Sequence, residues 1–495
     1  MGSSLALCAA AGGALALCLP KPGLCALAWG APAVLFYCLL RARGVRQAAC
    51  LGGVFGAAFC GVSLHWIFLT TRFAGVPLPV GVLAWAGLAA LLAVNWAVFG
   101  AAARVLPGPW TRAALWTAVE AASAWWTPRV GVDLMAYTQW RFLPLIQIGA
   151  LLGPHALGFV IMLWNASLAE CLRQGRREWR NLAAAAGLAA GCLVYGTAVL
   201  RERTPSTGGP VVDIYQPNIE QYQKWDARYE DSIRGAFEEL LREPHRERPA
   251  LLVWPETALP GWLDEPDISR WVSGCARKVG APILTGAVSR PGVRHHNSGV
   301  LIGADGEVAG IYHKRQLVPF GEFVPLRGLF EGWIGILAEM GDFDAGNARQ
   351  ELLATPAGRT AVSICYEAVF PRWALMDSSR GARVFVNLTN DGWYKDTWGP
   401  QQHFYTNMYR AVENRVLVLR AANTGISGAI DPYGVVLEKT EVESRRRLSV
   451  ALPSRDPFPQ GSPYSRYGDW FGACAMLASA AALAWTIRDK LSKIF

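Results

Sequence analysis

Apolar runs long enough to cross a lipid bilayer fill the first 200 positions of this chain, and one more closes it. A membrane helix needs roughly 20 apolar residues, within a range of about 17–25, and satisfies its backbone polar groups internally. Runs of that length lie near 3–19, 23–40, 48–70, 78–103, 111–127, 145–171, 181–200 and 468–487. Only Glu120, Asp133, Glu170 and Glu178, four of the 38 acidic residues, fall before position 201. From about 201 to 465 the text turns mixed and charged. The pattern predicts a seven-helix membrane domain over 1–200, a globular domain over 201–465, and a closing span with a short tail over 466–495. With 52% of 495 residues apolar and 17% charged, the chain is not a disordered, collagen-like or disulfide-scaffold protein. The leading Met-Gly-Ser-Ser carries no positive charge and a second run follows closely, so the first run reads as a retained helix rather than a signal peptide. Glu120, in mid-run, is a functional suspect by default; pairing with a polar group between helices is the simpler expectation.

Short cytoplasmic loops carry the excess of Lys and Arg. Here Arg41, Arg43 and Arg46 follow the second run, Arg104 and Arg112 the fourth, and Arg173, Arg176, Arg177 and Arg180 the sixth. Arg488, Lys490 and Lys493 follow the eighth, while the opposite loops hold only Lys21, Arg72, Arg129 and Arg141. Eight spans with both termini inside put every basic cluster on one face, and the globular domain outside the cytoplasm. The net charge of +9 then follows from topology, and no nucleic-acid partner is called for. Nine of the eleven cysteines lie in or beside apolar runs, where a thiol is a small hydrophobe. Cys275 and Cys365 remain, either as a disulfide or with one of them kept as a working thiol.

Within the globular part, Val211–Tyr215, Leu251–Trp254, Ile283–Val288, Gly299–Ile302, Ala361–Ile364, Val384–Asn387 and Val416–Arg420 read as strands. Tyr229–Arg242 and Asp267–Lys278 have helical spacing of apolar positions. This alternation predicts a layered α/β domain. Three strands end in reactive side chains. Leu-Leu-Val-Trp-Pro-Glu-Thr-Ala (251–258) carries Glu256, Ile-Tyr-His-Lys-Arg-Gln-Leu-Val-Pro-Phe-Gly-Glu (311–322) carries Lys314 and Glu322, and Ala-Val-Ser-Ile-Cys-Tyr-Glu (361–367) carries Cys365 and Glu367. Taken singly, the Glu is ordinarily a solvated turn residue, the Lys beside Arg a surface charge, and the Cys an inert core group. Together they make a chemistry. A carboxylate can take the proton of a thiol, and an ammonium can stabilise both the thiolate and the oxyanion formed on an attacked carbonyl. The constellation favours acyl transfer through a thioester.

These segments resemble the nitrilase (carbon–nitrogen hydrolase) superfamily, and most closely its membrane-embedded apolipoprotein N-acyltransferase family. The likeness spans nearly the whole chain: the helical N-terminal part, Gln-Pro-Asn-Ile (216–219) with Lys-Trp (224–225), Trp-Pro-Glu-Thr, Leu-Val-Pro-Phe-Gly-Glu, Ile-Cys-Tyr-Glu, Asn-Asp-Gly-Trp (390–393) and the closing span. Trp-Pro-Glu alone is weak, since soluble relatives also carry it.

The resemblance implies an αββα nitrilase-like sandwich inserted in a domain of eight transmembrane helices. It assigns Glu256 as general base, Lys314 as oxyanion-stabilising cation and Cys365 as nucleophile. Glu322 and Glu367 match further carboxylates near the triad, expected to orient Lys314. The backbone N–H of Tyr366 is expected to be a second oxyanion donor, Asn297 to line the pocket, and Trp225 and Trp393 to flank the entrance. The implied reaction moves an acyl chain, typically the sn-1 chain of phosphatidylethanolamine, to the thiol and then to the α-amine of an S-diacylglyceryl cysteine apolipoprotein. It needs no cofactor, takes place on the periplasmic side of a bacterial inner membrane, and is carried out by a monomer in contact with membrane lipid. The apolar, aromatic stretch 326–340 is either a membrane lid anchored by Phe330 and Trp333 or a core helix. His295, His296 and His403 lack metal-ligand spacing, so no metal site is expected. Asp391 is expected to be structural. No family expectation attaches to His296, Gln401 or Gln402, which leaves acyl-chain and headgroup preference open. The rival readings are a membrane-anchored nitrilase-type amidase using the same triad, and a transporter or receptor. Nearly uncharged spans and a complete triad oppose the latter.

Overall fold

The structure, a computed structural model, describes residues 2–126, 130–203, 208–224, 226–245, 247–292, 294–324, 343–454, 458 and 460–493. The chain forms two compact units, one of Met1–Thr204, Thr397–Glu413 and Ser462–Phe495, the other of Pro205–Asp396 and Asn414–Gly461.

Five helices among the described residues of the first unit are long and apolar enough to cross a membrane: Val45–Ser63, Leu78–Ala103, Ala156–Gln174, Trp179–Arg201 and Trp470–Leu491. The other three apolar runs give shorter pieces, and in the first two proline and glycine interrupt the hydrogen-bond ladder. The first run stops at Ala16, ahead of Pro20, Pro22 and Gly23. The second opens as a 3-10 turn, Cys25–Trp29, before Ala31–Arg41. The fifth is the helix Gly108–Ala122. Small residues set the packing of the longer helices. A Cβ on Gly52 would lie 2.1 Å from the Trp96 carbonyl oxygen, and one on Gly100 would lie 2.5 Å from that of Ala48. The backbones of Val45–Ser63 and Leu78–Ala103 therefore touch where no side chain fits. Glu120 is buried and paired: its carboxylate lies 3.3 Å from His155 Nδ1 and accepts from the Met135 N–H at 2.8 Å. His155 Nε2 reaches Asp469 at 3.2 Å, tying the start of the last helix to this cluster.

The first unit also takes in residues from the middle of the polar stretch. In the helix Gly399–Asn414, Gln402 accepts from Trp66 Nε1 (3.0 Å) and donates to the Ser63 carbonyl (3.1 Å), at the break that separates Val45–Ser63 from His65–Phe73. Tyr409 donates to Ala136 O at 2.7 Å, and Arg410 donates to the Tyr137 hydroxyl at 2.7 Å. Carbonyls and hydroxyls exposed at helix breaks need such partners, and this helix has a polar, aromatic face that supplies them.

The second unit is built on two six-stranded sheets. One runs β12-β1-β2-β3-β4-β5 and the other β11-β10-β9-β8-β7-β6. The first sheet comprises β1 (Val211–Gln216), β2 (Leu251–Val253), β3 (Ile283–Ser289), β4 (His296–Ile302), β5 (Val308–His313) and β12 (Arg446–Ala451). The second comprises β6 (Leu353–Thr355), β7 (Gly358–Ile364), β8 (Val384–Thr389), β9 (Leu417–Ala422), β10 (Gly428–Ile430) and β11 (Val436–Lys439). The parallel trios β1-β2-β3 and β7-β8-β9 form the sheet centres. Strand alternation splits the apolar residues between two cores. Val212, Ile214, Leu251, Val253, Val362, Ile364, Val386 and Leu388 fill the space between the sheets. Tyr215, Leu252 and Trp254 face the helices Glu230–Arg242 and Pro266–Val279, where Phe237 and Val272 pack. Cys275 is one of the fillers of that helix layer and is free, and burial raises its thiol to about 11, so the two cysteines of the globular part are not bridged.

Trp254 is fully buried and stacks on Phe237 at 4.4 Å between centroids. Replacing it by Ala is expected to cost about 3–5 kcal/mol, the range for deleting a buried aromatic. The check is the denaturant midpoint of the second unit; an unchanged midpoint would remove Trp254 from the set of anchoring core residues.

Candidate active site

Glu256 lies in the turn that follows β2, where the chain leaves the sheet through Pro255. That turn is packed hard on β3: a Cβ on Gly286 would come within 2.5 Å of Glu256 Cα, so only glycine permits the approach. Asn297 on β4 donates from Nδ2 to Glu256 Oε1 and to Glu322 Oε1, each at 2.8 Å. Lys314 follows the last residue of β5, and its backbone N–H donates to the Asn297 carbonyl at 2.8 Å. Its ammonium donates to Glu322 Oε1 at 2.8 Å and lies 3.5 Å from Glu256 Oε1. A buried ammonium is tolerable only when paired. Burial pulls Lys314 down, but Glu322, Glu256 and Cys365 together outweigh it and hold the ammonium above its ordinary range.

Cys365 follows the last residue of β7 at φ +51°, in the left-handed region that a non-glycine residue enters at a cost, and a 3-10 turn, Cys365–Val369, begins there. Its carbonyl accepts from Asn387 Nδ2 at 3.1 Å. Burial, reinforced by the Glu256 carboxylate, pushes the thiol up to about 12, while Lys314 pulls it down. At neutral pH this sulfur carries its proton, so nucleophilic attack requires a base.

The two further carboxylates have different tasks. Glu322 touches Lys314 and caps its own turn by accepting from Val318 N at 2.9 Å. Glu367 makes no such contact. It accepts from the backbone N–H groups of Arg315 (2.5 Å), Gln316 (2.9 Å) and Ile364 (2.7 Å) and from the Tyr312 hydroxyl (2.8 Å). It thus ties the backbone beside Lys314 to the backbone beside Cys365. Tyr366 follows in the 3-10 turn with its ring edge on Phe370 at 5.6 Å. Trp393 packs edge-on against Tyr222 at 6.0 Å. Trp225, Phe330 and Trp333, with the stretch 326–340, lie outside the described residues.

Several contributors escaped the sequence reading. Arg315 is as buried as a core residue and pairs with Asp377 at 2.7 Å, so neither member of the Lys-Arg pair is a surface charge. Behind the nucleophile, Arg420 and Asp391 form a fully buried ion pair at 2.7 Å. Arg420 also donates to Asn387, and Thr389 donates to Asp391 at 3.2 Å. The one available signal was an arginine at the end of an otherwise apolar strand. Lys224, in the Lys-Trp dipeptide, donates to the Glu256 carbonyl. Among the described residues no group of three His, Cys, Asp or Glu could hold a metal ion.

Two face-to-face sheets with a carboxylate, an ammonium and a thiol at their strand ends define a carbon–nitrogen hydrolase domain. The family model for carbon–nitrogen hydrolases matches residues 214–454, and that for the apolipoprotein N-acyltransferase N-terminal domain matches residues 11–167. An apolipoprotein N-acyltransferase of Geobacter metallireducens is 34% identical over 502 residues, covering 96% of this chain and 94% of its own. That of Pseudomonas putida is 32% identical over 510 residues, covering 98% and 97%. A crystal structure of a Helicobacter pylori carbon–nitrogen hydrolase aligns with 50% of this chain and 89% of its own, at TM-score 0.38 and 16% identity. The chain belongs to the apolipoprotein N-acyltransferase family.

Because the Cys365 thiol is raised to about 12, its alkylation by iodoacetamide should climb about tenfold per unit from about pH 7 to about pH 10, following the thiolate fraction. Mass spectrometry of the modified peptide gives the rate. A plateau near pH 9 would show an ordinary thiol.

Proposed function

We propose that this chain transfers an acyl chain from a phospholipid to the N-terminal amine of an S-diacylglyceryl cysteine apolipoprotein, with Cys365 carrying the chain between the two. What supports the reading most is the hydrogen-bonded set Glu322–Lys314–Glu256–Asn297 beside a buried, protonated thiol.

In the first half-reaction Glu256 takes the thiol proton as sulfur attacks the ester carbonyl. Lys314 and the Tyr366 backbone N–H stabilise the oxyanion. The carbon–oxygen bond to glycerol breaks, Glu256 returns the proton to the leaving oxygen, and a lysophospholipid departs. In the second half the acceptor amine attacks the thioester and the carbon–sulfur bond breaks. The amine proton passes through Glu256 to the thiolate, leaving an amide and a free thiol.

A membrane-embedded enzyme suits these substrates, since lifting acyl chains into water costs about 0.8 kcal/mol per CH₂. The arginine pattern supports eight spans with both termini cytoplasmic and the hydrolase domain over the periplasmic leaflet of the inner membrane, and the enzyme is taken to act as a monomer. The donor is taken to be phosphatidylethanolamine at sn-1. Trp393, packed on Tyr222, is taken to flank the entrance.

The test is to incubate the purified protein with a phospholipid labelled in its sn-1 chain. Label on Cys365 that hydroxylamine removes is expected, and a diacylated lipopeptide should then draw it into an amide. Cys365→Ser should abolish labelling, and Glu256→Gln should slow it by about 10²–10⁴-fold. An active protein without label on Cys365 would defeat the thioester route. Label released only as free acid in the presence of lipopeptide would identify a membrane-anchored amidase instead.

A further inference from the structure

Lys224 is a buried ammonium that neither half-reaction uses. It is 4% exposed, and its Nζ donates to the Glu256 carbonyl at 2.9 Å and to Thr257 Oγ1 at 3.1 Å. Thr257 stands at φ +45°, a conformation that a β-branched residue adopts only when its surroundings impose it. The turn carrying the base is therefore held from both sides, by the glycine of β3 beneath it and by this ammonium above.

The segment leading to Lys224 is fastened elsewhere. Ile219 exchanges two hydrogen bonds with Asn423, which follows β9: Ile219 N to Asn423 Oδ1 at 3.0 Å, and Asn423 Nδ2 to Ile219 O at 2.7 Å. Gln221 accepts from Asn390, and Tyr222 packs edge-on against Trp393 at 6.0 Å, both in the turn that follows β8. Residues 219–222 are thus seated on strand ends of the second sheet, and Lys224 reaches from there to the β2 end of the first. A lysine chosen only to fill space would not be buried with its charge directed at the backbone of the base.

We propose that Lys224 is a positioning residue for acyl transfer, bridging the Glu256 carbonyl and the Thr257 hydroxyl so that the base stays aligned with the thiol and with Lys314. The role rests on the reading of Glu256 as the base and Cys365 as the acyl carrier. The charged and titratable groups that face Lys224 are Glu256, in the turn after β2, and Cys365, at the end of β7. Burial pulls the ammonium down to about 8, against the raising effect of Glu256 and then Cys365. The cation is therefore present at neutral pH and lost as pH rises through about 8. The charge-assisted part of its hold on the Glu256 turn weakens over the same interval.

Single-turnover acylation of Cys365 by a labelled phospholipid in detergent micelles, followed from about pH 6.5 to about pH 9.5, separates this role from packing. Lys224→Met keeps the length and removes the bridge. At pH 7 it should acylate at least about tenfold more slowly, with half-saturating phospholipid within about threefold of native, since misplacing a reacting group costs rate more than binding. The native-to-variant rate ratio should fall as pH rises through about 8. Lys224→Arg, a cation that does not titrate there, should restore part of the rate and keep it above pH 8. Native rate and an unchanged ratio across pH in Lys224→Met would overturn the proposal. Should that variant unfold, the arginine variant decides: an alkaline loss identical to native overturns the role, and a flat profile upholds it. Native protein that never labels Cys365 would overturn the thioester reading itself, and the positioning role with it.

Discussion

Lys314 is almost completely buried, and an ammonium in that position is stable only while carboxylates stay within reach. Glu322 and Glu256 supply them, and Asn297 holds the two acids on one oxygen each. Much of the hydrolase unit can be read as the means of meeting that requirement. Gly286 lets the Glu256 turn press against β3, the Asn297 carbonyl receives the Lys314 backbone, and Glu367 ties the backbone just after Lys314 to that just before Cys365. Burial raises the thiol, and Glu256, one of the two carboxylates that settle the lysine, raises it further, so the nucleophile stays protonated until its base acts.

A second set of buried charges supports the first from behind. The Arg420–Asp391 pair is wholly enclosed, and such pairs add little stability yet are costly to break. Here it fixes Asn387, which in turn holds the carbonyl of Cys365 in its left-handed conformation. Glu120 and His155 form a comparable buried pair in the helical unit, where an unpaired carboxylate would be still less tolerable, and the partly exposed Asp469 takes the other ring nitrogen.

The central strands were legible in the sequence because their apolar residues form continuous runs. Val384–Asn387 lies within β8, Val416–Arg420 overlaps β9 and starts one residue before it, and Leu251–Trp254 covers β2. The short strands β6, β10 and β11 were not, being three or four residues long. β5 was read only at its end, as the strand that precedes Lys314, because it is largely exposed and its letters alternate weakly. The membrane runs were found as composition but overestimated as continuous helix. Breaks at Leu64, Gly153 and the Pro20–Gly23 corner depend on local backbone geometry that hydropathy does not register.

By itself the sequence determined where apolar and charged residues segregate, which strand ends carry Glu256, Lys314 and Cys365, and to which family those motifs are similar. Those properties are local, carried by runs and neighbouring letters. Tertiary structure alone decided that Glu322 holds the lysine while Glu367 braces two backbones, that Arg315 and Arg420 are interior, and that Lys224 spans from one sheet's strand ends to the turn of the base. The physical reason is that a charge in a sequence is silent about its solvent. Whether an ionised side chain stands in water or must be paired inside the protein depends on residues far along the chain, and only folding brings them together.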